Sequence, residues 1–376
     1  MKEITTKKLG FGLMRLPLLD PETPSSINIE EMKRMVDTFI EGGFTYFDTA
    51  WMYCGFASEN AVKETLVSRH PRDHFTLATK LHAGYLKTED DRDRIFGEQM
   101  KKTGVTFFDY YLLHAVSTSY YETYQRLHCF EWLREKKRAG LCKKIGFSFH
   151  DTAEVLDRVL TEQQDMDFVQ LQINYLDWES DSIQSRACYE VARKHGVPVV
   201  VMEPVKGGTL AAVPNAVREI FRQCDEKASP ASFAIRFAAS LPGVMMVLSG
   251  MSTMEQLQDN MAFMQKLRPL DEQEQTAVLQ AASIINSSAA VPCTGCAYCV
   301  PACKKRIPIP QYFALYNEDM REREGKDWTP QGAYYDNLAE TNGRASECIG
   351  CGVCERICPQ HLPISKHMKT LARHFE

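Results

Sequence analysis

The stretches CTGCAYCVPAC (residues 293–303) and CIGCGVCERICP (residues 348–359) hold eight of the thirteen cysteines of the chain. Each repeats the spacing C-x2-C-x2-C-x3-C, and Pro359 follows the second copy. Three thiolates three residues apart can face inward on one tight loop, whereas the fourth is turned away and commonly ligates the other cluster. The spacing therefore predicts two [4Fe–4S] clusters, with the ligand sets Cys293, Cys296, Cys299 and Cys358, and Cys348, Cys351, Cys354 and Cys303.

Zinc and disulfides are the two other uses of clustered cysteines. A structural zinc site usually takes two separated C-x2-C pairs rather than a run of four cysteines. Disulfides belong to oxidising compartments, and the N-terminal MKEITTKKLG has no apolar stretch typical of a secretory signal. The cysteine runs resemble those of bacterial two-cluster ferredoxins over about the last 85 residues. The resemblance implies a small α+β ferredoxin-like domain.

Composition narrows the class of protein. The chain has 376 residues, of which 44% are hydrophobic and 25% are charged, as is ordinary for a globular protein. A formal net charge of −5 gives no electrostatic case for binding nucleic acid or an anionic membrane. The apolar run at 197–202 is far too short to cross a bilayer. The other five cysteines are scattered, as expected for reduced thiols, so we expect a cytoplasmic protein.

Eight short β-rich runs alternate with longer helical patterns before the cysteines. The predicted strands are 9–14, 44–47, 75–78, 109–113, 144–147, 168–173, 197–202 and 244–248. The predicted helices are 30–41, one from about 59, 88–103, 122–139, 151–161, 182–195, 214–240 and 253–267. Such alternation implies a parallel sheet, and eight units fit a closed (β/α)8 barrel. The alternative, an open doubly wound sheet, usually shows G-x-G-x-x-G after its first strand, and GFGLMR at 10–15 does not supply it.

We therefore predict two domains. A (β/α)8 or TIM barrel occupies residues 1–285, and the iron–sulfur domain occupies 286–376 with an insertion at about 304–347. Aromatic and charged residues of the insertion, among them Trp328 and Tyr335, fit a helical segment that packs on the barrel or shields the clusters. They also fit a lid over the barrel mouth or a docking face for a redox partner. A basic helix is expected near 365–373.

Polar residues follow nearly every predicted strand. They are Asp48, Lys80, His114, Ser148, Gln172 with Asn174, Glu203 and Ser249. Because the carboxyl ends of barrel strands carry the active site, we expect these side chains to surround one pocket.

Four of the residues at this end can work together. The pKa of a tyrosine is about 10, and a neighbouring ammonium such as that of Lys80 would lower the pKa of Tyr53. Asp48 can hold Lys80 in place. His114 can donate a hydrogen bond to a carbonyl oxygen and orient it. A proton donor beside a polarised carbonyl is what reduction by hydride requires.

The ordered stretches FDTAWMY (47–53), ATK (78–80), LLH (112–114), GFS (146–148), QINY (172–175) and SGMSTMEQLQDN (249–260) resemble the aldo-keto reductases. The resemblance covers most of residues 1–270 and implies a barrel that binds NADPH or NADH. It implies Tyr53 as general acid, Lys80 and Asp48 as the pair that tunes it, and His114 as the residue that orients the carbonyl. Ser148 and Gln172 would hold the nicotinamide carboxamide. Ser249, Gly250, Gln256 and Asn260 fall in the segment for the adenosine phosphate and adenine.

The chain departs from that family at several positions that would contact the bound cofactor. Phe149 and His150 stand where the family often has an Asn after the serine, and Met202 with Glu203 replaces an aromatic residue. The uncharged Gly250, Thr253 and Gln256 offer no cation to a 2′-phosphate, so the sequence does not favour NADP(H) over NAD(H). A flavin is the alternative planar cofactor.

Three functions fit these observations. The first is an iron–sulfur oxidoreductase acting on a small carbonyl, alcohol or enone-like substrate, with electrons exchanged through the clusters and, by extension, with a redox partner protein. The second is an NAD(P)H-dependent carbonyl reductase whose clusters are structural or regulatory. The third is a non-enzymatic electron-transfer or redox-sensing protein.

A nicotinamide passes two electrons as hydride, whereas a cluster passes one. A carrier such as flavin, or a substrate that can bear a radical, would therefore have to join them.

Overall fold

The structure, a computed structural model, describes residues 7–180, 183–288, 290–322 and 331–376. Eight parallel strands close a barrel in chain order, with the first strand paired to both the second and the eighth. The strands are β1 (Leu9–Gly12), β2 (Tyr46–Asp48), β3 (Thr76–His82), β4 (Phe108–Val116), β5 (Cys142–Phe149), β6 (Phe168–Gln172), β7 (Val199–Met202) and β8 (Val244–Gly250). The predicted (β/α)8 barrel is confirmed, and each predicted run overlaps its strand.

Helices follow the strands around the barrel and continue into the C-terminal region. They are α1 (Ile29–Glu41), α2 (Tyr53–Phe56), α3 (Ser58–Val62), α4 (Asp90–Thr103), α5 (Thr118–Arg126), α6 (Cys129–Arg138), α7 (Ala153–Glu162), α8 (Ser185–Lys194), α9 (Asn215–Cys224), α10 (Pro230–Ala239), α11 (Met254–Met264), α12 (Glu272–Ser288), α13 (Ile309–Glu322), α14 (Gln331–Ala339), α15 (Val353–Arg356) and α16 (Ile364–Phe375). Single turns of tighter or wider helix lie at Lys63–Val67, Arg72–His74, Ala83–Tyr85, Lys206–Gly208 and Ala345–Glu347.

Two predicted helices are each divided in the structure. The pattern at 122–139 breaks at His128, whose φ of 48° is left-handed and cannot continue a right-handed helix. The pattern at 214–240 breaks before Pro230, which begins α10 after the capping residue Ser229. Proline fits the first turn of a helix and disfavours a helical conformation in the residue before it, so the chain turns there.

The barrel buries two apolar layers. Inside the barrel, the side chains that pack together are Tyr46, Ala78, Leu112, Phe168, Val200, Met246 and Leu248. Outside it, the helices bury one face against the strands. Helix α1 is an example of this arrangement. Asn28 caps its N-terminus, acidic residues occupy its first turn, and Met32, Val36 and Phe39 lie buried on one face.

The C-terminal region has its own core. Tyr312, Phe313, Tyr335, Met368 and Leu371 are buried there together with three cysteines of the two runs. In residues 290–322 and 331–376 the structure has helices and turns but no strand, so the β part of the expected α+β fold is not seen in these residues. Helix α16 confirms the predicted tail helix.

The predicted insertion packs inside the C-terminal region. Helices α13 and α14 contact each other through Tyr312 and Tyr335, whose ring centroids lie 4.4 Å apart. Tyr335 in turn stacks on Phe375 of the last helix at 4.8 Å. Residues 304–322 and 331–347 do not line the barrel cavity, which favours the packed helical segment over a lid, while Trp328 lies outside the described residues. The domain boundary at 285/286 stays a prediction.

None of the helices in the described residues combines the length and the apolar character that a membrane span needs.

Candidate active site and iron–sulfur sites

Lys80 joins the predicted catalytic residues at the carboxyl end of the barrel. It lies within β3, two residues before the end of that strand, and is only 1% exposed. Its ammonium donates hydrogen bonds to Asp48 Oδ1, to the carbonyl oxygen of Thr49 at 2.8 Å and to the hydroxyl of Tyr53 at 3.2 Å. The structure therefore brings Asp48, Lys80 and Tyr53 into one hydrogen-bonded group.

Burial acts on both charges of this group. It raises the pKa of Asp48 and lowers the pKa of Lys80, and the attraction between them opposes both shifts. Behind them Gln99 donates to the carbonyl oxygen of Lys80 at 3.0 Å and to Glu59 Oε1 at 2.8 Å. Glu59 is a second buried carboxylate whose charge supports the Lys80 ammonium. Neither Glu59 nor Gln99 could be predicted as a site residue, because a polar residue on a helix gives no signal of its own in the sequence.

The expected lowering of the Tyr53 pKa is not what the structure shows. Burial raises the Tyr53 pKa well above its ordinary value, the carboxylates of Asp48 and Glu203 raise it further, and the Arg15 guanidinium acts against them. The phenol is therefore protonated at neutral pH and can donate a proton. Cys54 and Gly55, which follow it, both have left-handed backbones, and that fixes the turn that carries Tyr53.

His114 completes the predicted tetrad as a neutral side chain. It is 4% exposed, and its ring stands nearly perpendicular to that of Tyr53 with the centroids 5.8 Å apart. Burial lowers the pKa of His114 well below its ordinary value, and the nearby His82 and Lys80 act in the same direction. Its Nδ1 has no hydrogen-bond partner among the residues that the structure describes. A neutral imidazole of this kind has one N–H to donate to a ligand.

One cavity of about 520 Å³ opens at this end of the barrel. A volume of this size is typical of small-molecule sites. Nine of the ten residues predicted for catalysis and cofactor binding line it, and Lys80 alone lies behind the wall. They are Asp48, Tyr53, His114, Ser148, Gln172, Ser249, Gly250, Gln256 and Asn260.

The residues predicted for the nicotinamide already have protein partners on one side. Ser148 Oγ accepts a hydrogen bond from the backbone N–H of Ala115 at 2.8 Å. Gln172 Nε2 donates to Asp177 Oδ2 at 3.0 Å. These bonds fix both side chains while leaving the Ser148 hydroxyl hydrogen and Gln172 Oε1 for a ligand amide.

The part of the cavity lined by the end of β8 and by α11, called here its far end, is acidic. Asn260 donates to Ser249 Oγ at 3.0 Å, and Thr253 caps the N-terminus of α11 by accepting from the backbone of Gln256. Glu255 and Asp259 of the same helix also line the cavity. Neither carboxylate was singled out in the sequence, although both lie in the segment assigned there to the adenosine phosphate and adenine.

Arg15 and Glu203 form a bridge across the cavity floor. Arg15 follows β1 and Glu203 follows β7, and their side chains pair at 3.3 Å. Glu203 Oε2 also accepts from the backbone N–H of Gly207 at 2.7 Å. Glu203, one of the two residues that stand in place of the family's aromatic residue, is thus part of an ion pair. Its partner Arg15 lines the cavity and was not predicted from the sequence.

The cysteine loops form part of the same cavity wall. Thr294, Cys296 and Tyr298 from the first loop, with Pro359 and Gln360 from the second, line the cavity opposite the barrel. Burial raises the pKa of Tyr298 well above its ordinary value, and the nearness of Tyr53 and Cys296 raises it further. Tyr298 therefore lies near both a predicted cluster ligand and the predicted general acid.

The thiols fall into two groups by their electrostatic neighbours. Burial raises the pKa of Cys299, and Cys296, Cys293 and Cys358 act on it in the same direction. Burial raises the pKa of Cys354 to about 11, with Cys348 and Cys303 as thiol neighbours. The second group also lines one small cleft, made by Cys303, Cys348, Cys351 and Cys354 among other residues.

The chemistry of these donors fits iron–sulfur clusters. Each group holds four cysteines in the combination expected when the fourth ligand is exchanged between two clusters. Within the described residues, no three His, Cys, Asp or Glu side chains converge closely enough for a single metal ion. A cubane is larger than an ion and holds its thiolates farther apart.

Comparison with known families agrees with this geometry. The sequence profile of the aldo/keto reductase family matches residues 8–282. The chain belongs to the aldo/keto reductase family. The profile of the 4Fe-4S dicluster domain matches residues 292–362, so a domain of this type follows the reductase barrel. The chain is therefore an oxidoreductase with iron–sulfur clusters.

Solved structures share the reductase fold. A thermostable aldo-keto reductase crystallised with the inhibitor epalrestat is 21% identical, with a TM-score of 0.60 over 73% of this chain and 94% of that one. The holo form of AKR11C1 from Bacillus halodurans is 20% identical, with a TM-score of 0.58 over 73% and 91% of the chains. An aldo-keto reductase from Klebsiella pneumoniae in complex with NADPH is 17% identical, with a TM-score of 0.56 over 73% and 90%. A search of curated proteins finds no match to the chain.

Proposed function

We propose that the protein is an aldo-keto reductase-type oxidoreductase that acts on a small carbonyl, alcohol or enone-like substrate in the barrel cavity, with electrons exchanged through two [4Fe–4S] clusters. One observation carries the proposal: Tyr53 and His114 of the barrel share a cavity with Cys296 and Tyr298 of the first cysteine loop. A cluster that only stabilised the fold would not have to lie in the wall of that cavity.

The proposed ligand sets follow the grouping of the thiols. Cys293, Cys296, Cys299 and Cys358 would hold the cluster next to the cavity, called here the proximal cluster. Cys303, Cys348, Cys351 and Cys354 would hold the distal cluster. The electrostatic neighbours of Cys299 and Cys354 support this exchange of the fourth ligands. When bound, the clusters supply one-electron chemistry.

A nicotinamide nucleotide is the proposed second cofactor, because the cavity holds the six predicted cofactor residues and has a suitable volume. When bound, it supplies a hydride. Ser148 and Gln172 would hold its carboxamide through the hydroxyl hydrogen and the amide oxygen that their protein partners leave free. Ser249, Gly250, Gln256 and Asn260 would hold the adenosine end. A flavin is the alternative occupant of this cavity, and unlike a nicotinamide it could exchange single electrons with the clusters and two electrons with a substrate. With a nicotinamide bound, the substrate itself would have to bear the radical between the two one-electron steps.

The chain's own residues would manage the proton and the carbonyl. Tyr53 is protonated and would donate to the substrate oxygen, while the Lys80 ammonium 3.2 Å from its hydroxyl stabilises the phenolate left behind. Asp48 and Thr49 hold the ammonium in place. Neutral His114 would donate its N–H to the same oxygen and orient it. Such general acid catalysis is worth about 10²- to 10⁴-fold in rate.

Replacing Tyr53 by Phe tests this assignment, because it removes the proton and keeps the ring. We expect turnover of a carbonyl substrate to fall by about 10²-fold or more, since the general acid is lost. The visible absorbance of the clusters and the iron and sulfide content of anaerobically purified protein should stay as in the parent. Unchanged turnover in Tyr53→Phe would show that the site does not work in this way.

A second candidate function is an NAD(P)H-dependent carbonyl reductase whose clusters only build the cavity wall. It is favoured by the close approach of the first cysteine loop to the turn after β7, where Gly207 lies against the carbonyl oxygen of Thr294. This candidate predicts activity with NAD(P)H alone that survives chemical bleaching of the clusters. Loss of turnover on bleaching, with the barrel still folded, would favour electron exchange instead.

A further inference from the structure

Lys206 is a buried cation between the barrel and the cysteine loops. It lies in the turn after β7 and is only 3% exposed. Its ammonium donates to Asp177 Oδ1 and, at 3.1 Å, to Gln360 Oε1. Gln360 follows the proposed ligand Cys358 by two residues. The ammonium thus connects a barrel carboxylate with the second cysteine loop.

The carboxylate partner of Lys206 holds the cavity side as well. Asp177 Oδ2 accepts from Gln172 Nε2 at 3.0 Å and from Asn174 Nδ2 at 2.8 Å. Gln172 lines the cavity where the nicotinamide carboxamide is proposed to bind. A chain of hydrogen bonds therefore runs from Gln360 through Lys206 and Asp177 to Gln172. It reaches from the proximal cysteines to the proposed cofactor site.

The backbone holds Lys206 in an unusual conformation. Its φ of 46° is left-handed, which is uncommon for a residue with a side chain, and Gly207 after it is left-handed as well. Such conformations persist only where the surrounding structure over-determines them, and they cluster at functional sites. The desolvation of a buried ammonium is also unfavourable, so a purely structural contact would be better made by an apolar residue.

The charge of Lys206 reaches the proximal thiols. Its ammonium bonds to Gln360, two residues after the proposed ligand Cys358. Its carboxylate partner Asp177 lies on the other side and bonds to Gln172. The positive end of the ion pair therefore lies nearer to the proximal cysteines than the negative end. A positive charge at this place favours the more negative, reduced state of a bound cluster.

We propose that Lys206 is a positioning residue with two effects: it raises the reduction potential of the proximal cluster, and through Asp177 it holds Gln172 ready for the cofactor amide. The inference rests on the proposed function, since it takes Cys293, Cys296, Cys299 and Cys358 as the ligands. It adds a residue outside the predicted tetrad that links the two redox sites of the chain.

The test uses the full-length protein purified anaerobically. In the double variant Lys206→Met/Asp177→Asn both charges disappear and no buried carboxylate is left unpaired. Because the ammonium faces the cysteines and the carboxylate faces Gln172, the loss of both charges should still lower the proximal midpoint potential. In an EPR-monitored redox titration we expect a fall of about 30 mV, which is a roughly three-fold change for a one-electron couple. The distal midpoint should stay in place. Lys206→Arg keeps the charge and should keep the parent potential.

A binding measurement tests the second effect. Titration of Lys206→Met/Asp177→Asn with NADH, followed by protein fluorescence, should show a Kd raised about three-fold, because a neutral amide oxygen at this position accepts from Gln172 more weakly than the carboxylate does. Lys206→Arg should bind like the parent.

The matched control removes another buried ion pair, Arg236 with Glu274, whose atoms lie 2.7 Å apart and whose side chains are 4% and 2% exposed. Arg236→Met/Glu274→Gln is expected to lower the melting temperature but to leave both midpoints and the Kd unchanged. A proximal midpoint that shifts equally in the control, or that does not shift in the Lys206 variant, overturns the inference. Failure of the proposed function would instead appear in the parent as the absence of two clusters by iron and sulfide analysis.

Discussion

At the scale of single residues, burial keeps the proton on Tyr53, and the Lys80 ammonium 3.2 Å from the hydroxyl is placed to stabilise the phenolate once that proton has left. The positions of Asp48, Tyr53 and His114 could be predicted, because barrel geometry brings the carboxyl ends of strands around one cavity. The direction of the Tyr53 pKa shift could not, because burial and the carboxylates of Asp48 and Glu203 outweigh the nearby cation. Those contributions depend on packing that no motif contains.

Glu255 carries a prediction about the choice of cofactor. It lines the far end of the cavity in the first turn of α11, where a 2′-phosphate of NADPH would add negative charge. Removing the carboxylate in Glu255→Gln should strengthen NADPH binding roughly two- to five-fold, the scale of a single charge at a helix N-terminus. NADH binding should hardly change. Fluorescence titrations with both nucleotides at low ionic strength measure the ratio.

Glu272 provides the control for this effect. It lies in the first turn of another helix, α12, and does not line the cavity. Glu272→Gln changes the net charge by the same amount and should leave the NADPH to NADH ratio as in the parent. An unchanged ratio in Glu255→Gln would mean that the adenosine end of the nucleotide lies elsewhere.

At the scale of elements, the turn after β7 joins the barrel to the first cysteine loop. Glu203, Lys206 and Gly207 all have left-handed backbones within five residues. A Cβ built on Gly207 would lie 2.3 Å from the carbonyl oxygen of Thr294, which is far inside contact distance. Glycine is therefore required at position 207 for two reasons. Its φ of 64° is left-handed, and the first cysteine loop approaches too closely for a side chain.

Gly207→Ala should push the first cysteine loop away from the barrel. We expect a larger loss of stability than the roughly 1–2 kcal/mol that a left-handed alanine costs by itself. We also expect faster proteolysis of the junction between barrel and cluster domain. Thermal unfolding and limited proteolysis of the anaerobic protein measure both effects.

Gly208→Ala separates the clash from the backbone strain. Gly208 also has a left-handed φ, of 104°, but nothing lies within 4 Å of a Cβ placed there. This variant should therefore show the strain alone, with the junction as protected from protease as in the parent. Equal behaviour of the two variants would argue against the contact with Thr294 as the cause.

The elements themselves were largely predictable, and their boundaries were not. Alternation of apolar runs placed all eight strands, because each strand must be buried on both faces in a barrel with outer helices. The division of the predicted helix at 122–139 could not be predicted, since the left-handed turn at His128 has no glycine to mark it. The contribution of Tyr298 to the cavity also escaped it, because spacing within a motif does not say which domain the loop will meet.

At the scale of the whole molecule, the two cysteine groups differ in their surroundings. The proximal group lies against the barrel cavity, whereas the distal group lies in a cleft that also contains Lys304 and Lys305. Cys351 and both lysines are exposed, and Ile349 beside Cys351 is 62% exposed. We predict that an acidic one-electron carrier protein docks at this basic and partly apolar edge, from which electrons would pass from the distal to the proximal site.

Charge reversal at this edge tests the route. In Lys304→Glu/Lys305→Glu, reduction of the clusters by a small acidic ferredoxin should slow by about ten-fold or more at low ionic strength, because electrostatic steering is lost. Stopped-flow absorbance measures the rate, and added salt should shrink the difference. Reduced methyl viologen, a small cation, should still reduce the variant.

The control Lys101→Glu/Lys266→Glu places the same charge on exposed sites of the barrel and should react like the parent. Equal slowing in both variants would assign the effect to net charge and remove the basic edge as the point of entry.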